Sequence, residues 1–340
     1  MIGCFFSIIL RSCKKMEYKQ FIMKVKDKVE ENAGGNYDVN INHVIKNNSL
    51  ELDGIIISNK ESRISPNIYL NDYYEKYKYG ESVENIANEI LRVYEDRSEE
   101  NEFDINFIFE EMKSKIIFRI VNYSKNKILL QESPHIRFLD LAITFHGLVK
   151  NDYNGIGTIR ITNEHMNEWE TDVGELMSLA GRNTQRIFPA SIKPMNEVIE
   201  SIMERDIEKY IGGINLSEWN EFTGEDIDSI SDDVMMNFLQ EIEEKQQIPM
   251  YILSNSNGIN GASAILYTDI LKEFSTSQNS DFYILPSSIH EVILVPYSVQ
   301  LSKETLREMV LNVNQTQVPE DEVLSNQVYI YRRSTNSIEI

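Results

Sequence analysis

Cysteine is nearly missing from this 340-residue chain: Cys4 and Cys13 both precede Lys14, and nothing after them is cysteine. Beyond residue 13 this excludes a disulfide framework and any cysteine-ligated metal centre, and it fits a reducing, cytoplasmic compartment. Basic residues are the second shortage. Lysine and arginine number 33 against 54 aspartates and glutamates, a formal charge of -21. So acidic a surface repels phosphate backbones and anionic membranes, so neither nucleic acid nor membrane is expected as a partner. Long apolar runs are the third shortage. Nothing reaches the roughly 20 apolar residues that span a bilayer. The apolar stretch 5–10 has no positive segment before it and no small-residue cleavage site after it, which argues against a signal peptide. Arg11-Ser12 can be encoded by a ribosome-binding-like sequence a short spacer before Met16, where helical patterning begins. The expectation is a start at Met16, with 1–15 a mis-assigned start or disordered leader.

What is present describes a folded protein. Hydrophobic residues make up 41% and aromatics 10%, ordinary for a globular core, and the length suits about two domains. Composition breaks once. Glu218 to Gln246 holds ten acidic residues and one lysine, and reads as an acidic linker with a helix around 234–242. It separates an α+β subdomain at 16–217 from an α/β subdomain at 247–340. Asp226, Asp228, Asp232 and Asp233 invite a calcium-loop reading. Ile230, however, stands where an oxygen ligand is needed, and Ser231 where the loop needs glycine.

In the first subdomain, Phe21, Val25 and Val29 recur at helical spacing up to Gly34-Gly35. A hairpin follows, turning at Asn47-Asn48. "ISPNIYL" reads as a strand, with Asn71 capping the helix "DYYEKYKY". Tyr69, Tyr73, Tyr74 and Tyr77 read as a packing face rather than a base-stacking platform, because no basic groove accompanies them. Ser82 starts a helix whose stripe is Val83, Ile86, Ala87, Ile90, Leu91 and Tyr94. "KIIFRIV" is a strand. "RFLDLAITFHGLV" alternates, with Leu139, Leu141, Ile143 and Phe145 on one face and Asp140, Ala142, Thr144 and His146 on the other. It pairs with "GTIRI" across 151–155, and its polar side could line a cavity but is more often a sheet's solvated face. Asp172 and Glu175 have capping-box spacing.

The second subdomain holds the candidate chemistry. "IPMYILSN" and "DFYIL" are apolar at consecutive positions, as strands covered on both faces are. Between them lie the loop "SNGING" and the helical "SAILYTDILKEF". A strand–helix–strand unit predicts parallel neighbours in a mixed sheet, with loop 255–263 and turn 286–291 on one rim, where open α/β sheets bind ligands. "HEVILVP" returns antiparallel. "TLREMVLNVN" is the last helix, and "QVYIYRR" a late edge strand.

Four readings of that rim compete. Gly258 and Gly261, with Asn255 and Ser263, form a candidate anion or cofactor cradle at a helix N-terminus, but lack the Gly-Lys-Ser/Thr ending of a phosphate loop. Ser263, Asp281 and His290 follow in hydrolase order, yet Ile265 replaces the second glycine of a nucleophile elbow. His290 and Glu291 have Leu294 where a zinc protease needs its second histidine. His165 and Glu168 share a helix face, and one such pair does not make a metal site. The fourth reading is structural: Ser287, Ser288, His290 and Glu291 satisfy the backbone of a turn. Ser288, His290 and Glu291 are the candidate catalytic residues if the rim is active. No metal and no cofactor are expected.

The stretches "LDGIII", "IYLNDYYEKYKYG", "FRIVNY", "LDLAITF", "MYILSNSNGINGASAILY", "YILPSSIHEVILVP" and "LREMVLNVNQTQV" resemble a bacterial family common in gut clostridia. It is number 5688 in the series of domains of unknown function. The resemblance spans Met16 to Ile340 and implies no reaction, cofactor or catalytic residue. The expectation is a non-enzymatic binding or regulatory module with a protein or small-molecule partner. The alternative is a small-molecule or nucleotide-directed enzyme using the cleft between loop 255–263 and turn 286–291. Oligomeric state is not readable from the sequence.

Overall fold

Phe21, Val25 and Val29, each four residues apart, are fully buried, and the helix they define is the first element among the described residues. The computed structural model describes residues 15–35, 37–59, 67–98, 107–152, 155–199, 201, 249–298 and 301–340. The leader reading and the acidic segment 218–246 fall outside the described residues. The chain mixes helices with antiparallel sheets and divides into two compact units.

The first unit takes Met1–Lys46 and Leu50–Asn106. Helix α1 (Tyr18–Ala33) and helix α3 (Val83–Ser98) bring their apolar stripes together over a three-stranded sheet, β1 (Tyr37–Ile45), β2 (Glu51–Asn59) and β3 (Asn67–Tyr69). The expected hairpin forms in the register Val39↔Ile57 and Ile41↔Ile55, which puts Val39, Ile55 and Ile57 in the core. Ser82 caps α3 by accepting the Asn85 N–H at 3.1 Å. Asn71 does not cap its helix, α2 (Asn71–Lys78). Its side-chain oxygen accepts the Asp53 N–H at 3.3 Å instead, tying the helix to the sheet. The tyrosines pack as expected. The Tyr74 and Tyr77 rings each lie 5.2 Å from that of Phe21, and Tyr74 lies 5.0 Å from Tyr18.

The second unit takes Asn47–Ser49 and Phe107–Ile340, so the boundary expected at 218–246 falls inside it. Its first sheet holds β4 (Ile116–Asn122), β5 (His135–Phe138), β6 (Leu141–Asp152) and β7 (Gly155–Arg160). Strand β4 pairs along one side of β6, and β5 and β7 along the other. The second sheet runs in the order β13-β12-β10-β11-β9-β8. These strands are β8 (Ala190–Pro194), β9 (Tyr251–Asn255), β10 (Phe282–Leu285), β11 (Val292–Pro296), β12 (Tyr329–Arg332) and β13 (Ser337–Glu339). One apolar cluster joins Phe118, Phe145 and Ile143 of the first sheet to Leu253, Ile284, Leu294 and Tyr329 of the second. Leu176 and Ala180 of helix α7 (Val173–Ile187), which follows the short helices α4 (Phe109–Met112), α5 (Lys127–Gln131) and α6 (Asn163–Glu168), belong to it too. Asp172 caps α7 by accepting the Glu175 N–H at 2.8 Å; Glu175 answers Thr171 rather than closing the box.

Three expectations are corrected here. Strands β9 and β10 are not parallel neighbours: β11 lies between them, antiparallel to both. The hairpin β10–β11 folds back into the place a parallel neighbour would take, because a short turn closes an antiparallel pair more readily than a crossover closes a parallel one. The segment "SAILYTDILKEF" is two elements, a 3-10 turn at Gly261–Leu266 and helix α8 (Ile270–Gln278), broken where Asp269 adopts a left-handed φ of 60°. Strand β12 is interior, and β13 takes the edge. The polar side of β6 also departs from expectation. Thr144 is 1% exposed and Ala142 0%, so that face is covered rather than solvated.

Candidate functional site

The antiparallel order still brings the two bends together. Because β9 and β10 both run antiparallel to β11, they point the same way, and their C-terminal ends share one rim with the start of β11. Asn255 and Ser287 therefore lie on the same rim.

Loop 255–263 is built by its own side chains. Asn255, buried, donates through Nδ2 to the Ile259 carbonyl at 2.9 Å and accepts the Asn257 N–H at 3.1 Å. Gly258 holds φ at +66°, a left-handed turn that favours glycine. Gly261 is required by contact: a Cβ there would meet the Asn255 nitrogen and the His290 carbonyl oxygen, each at 2.6 Å. The Ser263 hydroxyl is buried without a hydrogen-bond partner.

Turn 286–291 is stitched on both sides. Ser254 Oγ donates to the His290 carbonyl at 2.8 Å, and the Ala262 N–H donates to that of Ile289 at 3.2 Å. Across the other side, the Leu324 N–H donates to the Ser287 carbonyl at 3.1 Å, and the Ser325 N–H to that of Pro286 at 2.9 Å. Ser288 forms a β-bridge with Val323, and its hydroxyl accepts the His290 N–H at 2.9 Å. The His290 ring accepts the Asn260 N–H at Nδ1, 3.2 Å, which places its proton on Nε2, 3.3 Å from Glu322. Burial pushes the Glu291 carboxyl up; His290 and the Ser288 hydroxyl pull it back, and Glu322 adds to the rise.

As chemistry, the rim brings Asn255, Gly261, Ser288, His290 and Glu291 together, with the Ser288 hydroxyl on the Glu291 carboxylate and no serine–imidazole contact. Ser288 meets His290 through the histidine backbone, not its ring. Asp281 precedes β10, at the other rim, where its carboxylate takes Arg332 at 3.3 Å and the Arg333 N–H at 3.0 Å. The N–H groups of Asn257, Gly258, Asn260, Ala262 and Ser263 all have protein acceptors, so few remain for an anion. Among the described residues, no three His, Cys, Asp or Glu side chains cluster as metal ligands. His165 uses its ring in a capping box with Thr162 instead.

A second polar group was not singled out by sequence reasoning. Arg119 on β4, Thr144 and His146 on β6 and Arg160 on β7 share one face of the four-stranded sheet, through the pairings Arg119↔Thr144 and His146↔Arg160. Thr144 Oγ1 lies 3.1 Å from His146 Nε2. Nε of Arg119 and Nε of Arg160 are sealed from solvent with no acceptor. Burial pulls Arg119 down to about 10 and lowers Arg160, which Glu132 partly restores. Burial, then the two guanidinium charges, hold His146 well below the usual histidine range. The available signal was the polar beat of "IIFRIV", "AITFH" and "GTIRI"; which polar residues face one another depends on register.

Residues 18–333 match the sequence model of a family of unknown function (DUF5688). No curated protein and no solved structure matches the chain. Among the described residues no helix is long and apolar enough to cross a membrane.

Proposed function

The chain belongs to this family of unknown function, and from its own residues we propose that it is a non-enzymatic binding or regulatory module of the cytoplasm, acting on a small molecule or another protein. One observation carries the reading: the candidate catalytic groups are engaged in holding two bends together. A serine nucleophile of the histidine-activated kind must share its proton with the imidazole, yet the Ser288 hydroxyl accepts the His290 backbone N–H and bonds the Glu291 carboxylate, while the His290 ring takes Asn260 and Glu322. Buried polar groups satisfied in this way specify a conformation.

The alternative, a small-molecule or nucleotide-directed enzyme working between loop 255–263 and turn 286–291, draws on Glu291. A carboxyl raised by burial beside a serine hydroxyl is the kind of perturbed group that active sites use. Ser288→Ala and His290→Ala separate the two readings. Under the first, each variant loses about 1–3 kcal/mol in urea denaturation, since it strands a buried partner. Unchanged stability, joined to loss of a metabolite-induced rise in melting temperature, would transfer the function to the rim.

A further inference from the structure

The face carrying Arg119, His146 and Arg160 has a cost that no described residue offsets. A guanidinium remains charged at any physiological pH, and taking one out of water is unfavourable unless an anion meets it. Among the described residues Arg119 meets none: its Nε is buried without an acceptor and the side chain makes no ion pair or hydrogen bond, while the residue as a whole is half-buried. Arg160 is in the same position, with the Glu132 carboxylate acting on it only through its field. His146 stands between the two arginines, one ring nitrogen on Thr144. Farther across the same face, His135 uses Nδ1 on the Ser133 carbonyl, and Arg137 bonds the Leu139 carbonyl and lies over the Tyr123 ring. Those two are satisfied within the protein; Arg119 and Arg160 are not. Two guanidiniums whose Nε is buried with no acceptor among the described residues, in a chain of net charge -21, mark a place where negative charge is missing.

We propose that Arg119, His146 and Arg160 form the binding site for one anionic group, a carboxylate or a phosphate, carried on a small molecule. Two guanidiniums suit either group, since each offers paired N–H donors to two oxygens. The size of the ligand follows from access. Arg119, though neither His146 nor Arg160, lines a cavity of about 10 Å³ together with Ile117, Ile156, Phe188 and Asn260, which is room for about one water-sized atom beside that arginine. One oxygen of an anion fits there; a polymer does not. The overall acidity also turns polyanions away.

This assignment rests on the binding-module reading and names its ligand class. The test uses the full chain, with inorganic phosphate and succinate as probes and sodium chloride at matched ionic strength as control. A saturable rise in melting temperature is expected with one or both probes and not with chloride; which probe acts tells phosphate from carboxylate. Arg119→Met and Arg160→Met should each weaken the response roughly ten- to hundredfold, while Arg119→Lys, which keeps the charge, should weaken it less. Should the methionine variants fail to fold, the Nε–H resonances of Arg119 and Arg160 in the wild-type protein carry the test, because they must shift on titration. No saturable response, or one that both variants keep, overturns the site. Turnover of a bound phosphate ester at these residues would instead leave the site standing and defeat the non-enzymatic reading.

Discussion

At Glu291 burial and Glu322 lift the carboxyl above its ordinary value of 4.5, against the pull of His290 and Ser288. The direction sets the sign of a pH effect. With the folded value above the unfolded one, the folded state holds the proton more tightly. The resulting stability is complete below the unfolded pKa and is lost as pH rises through the folded one. Glu291→Gln keeps an oxygen for the Ser288 hydroxyl and removes the charge. It should equal the wild type near about pH 4 and exceed it near about pH 7, read from denaturation midpoints. A wild type more stable than the variant at neutral pH would mean that the charged carboxylate is favoured. Sequence could nominate Glu291 from its place in a polar insert between apolar strands. It could not supply the burial that sets the sign, nor Glu322, 31 positions along the chain, which adds to it.

Elements show where local patterning sufficed and where it did not. Helices α1, α3 and α7 and the hairpins β1–β2 and β6–β7 were legible, because their apolar periodicity and caps are properties of neighbouring residues. The stretch after β9 was not. Its apolar spacing suits one helix, but the left-handed Asp269 divides it, and the 3-10 turn Gly261–Leu266 is seated by contact with β9 and the turn before β11. Gly261→Ala tests that seating. Its Cβ would meet backbone atoms of Asn255 and His290, which cannot swing aside, and overpacking costs about 1–3 kcal/mol. Gly258→Ala meets nothing within 4 Å and bears only a left-handed φ of +66°, worth about 1 kcal/mol. Gly261→Ala should therefore be the more damaging in urea denaturation; the reverse order would place the rim under backbone control rather than contact.

For the whole molecule, two separate apolar clusters predict two separate responses. Ile55 lies in the core of the first unit and Ile143 in that of the second. Ile55→Val and Ile143→Val should each cost about 0.5–1.5 kcal/mol. Hydrogen exchange should quicken only within the unit that carries the change, as cooperative units open separately. Faster exchange in both units from either substitution would indicate one shared core. Across the acidic break at 218–246, β8 before it pairs with β9 after it in a five-residue register. Composition reports what solvent tolerates, whereas sheet pairing reports what the chain returns to.

Sequence alone determined the mixed helical and stranded make-up, the extent of most elements, and the absence of cysteine chemistry after residue 13. Each of these depends on residue type and on neighbours a few positions away. Tertiary structure alone decided that β11 separates β9 from β10, that the Ser288 and His290 groups hold the rim together, and that Arg119, His146 and Arg160 meet on one face. Strand order and register pair residues far apart in the chain, and burial then determines which of the assembled polar groups find partners and which remain charged without one.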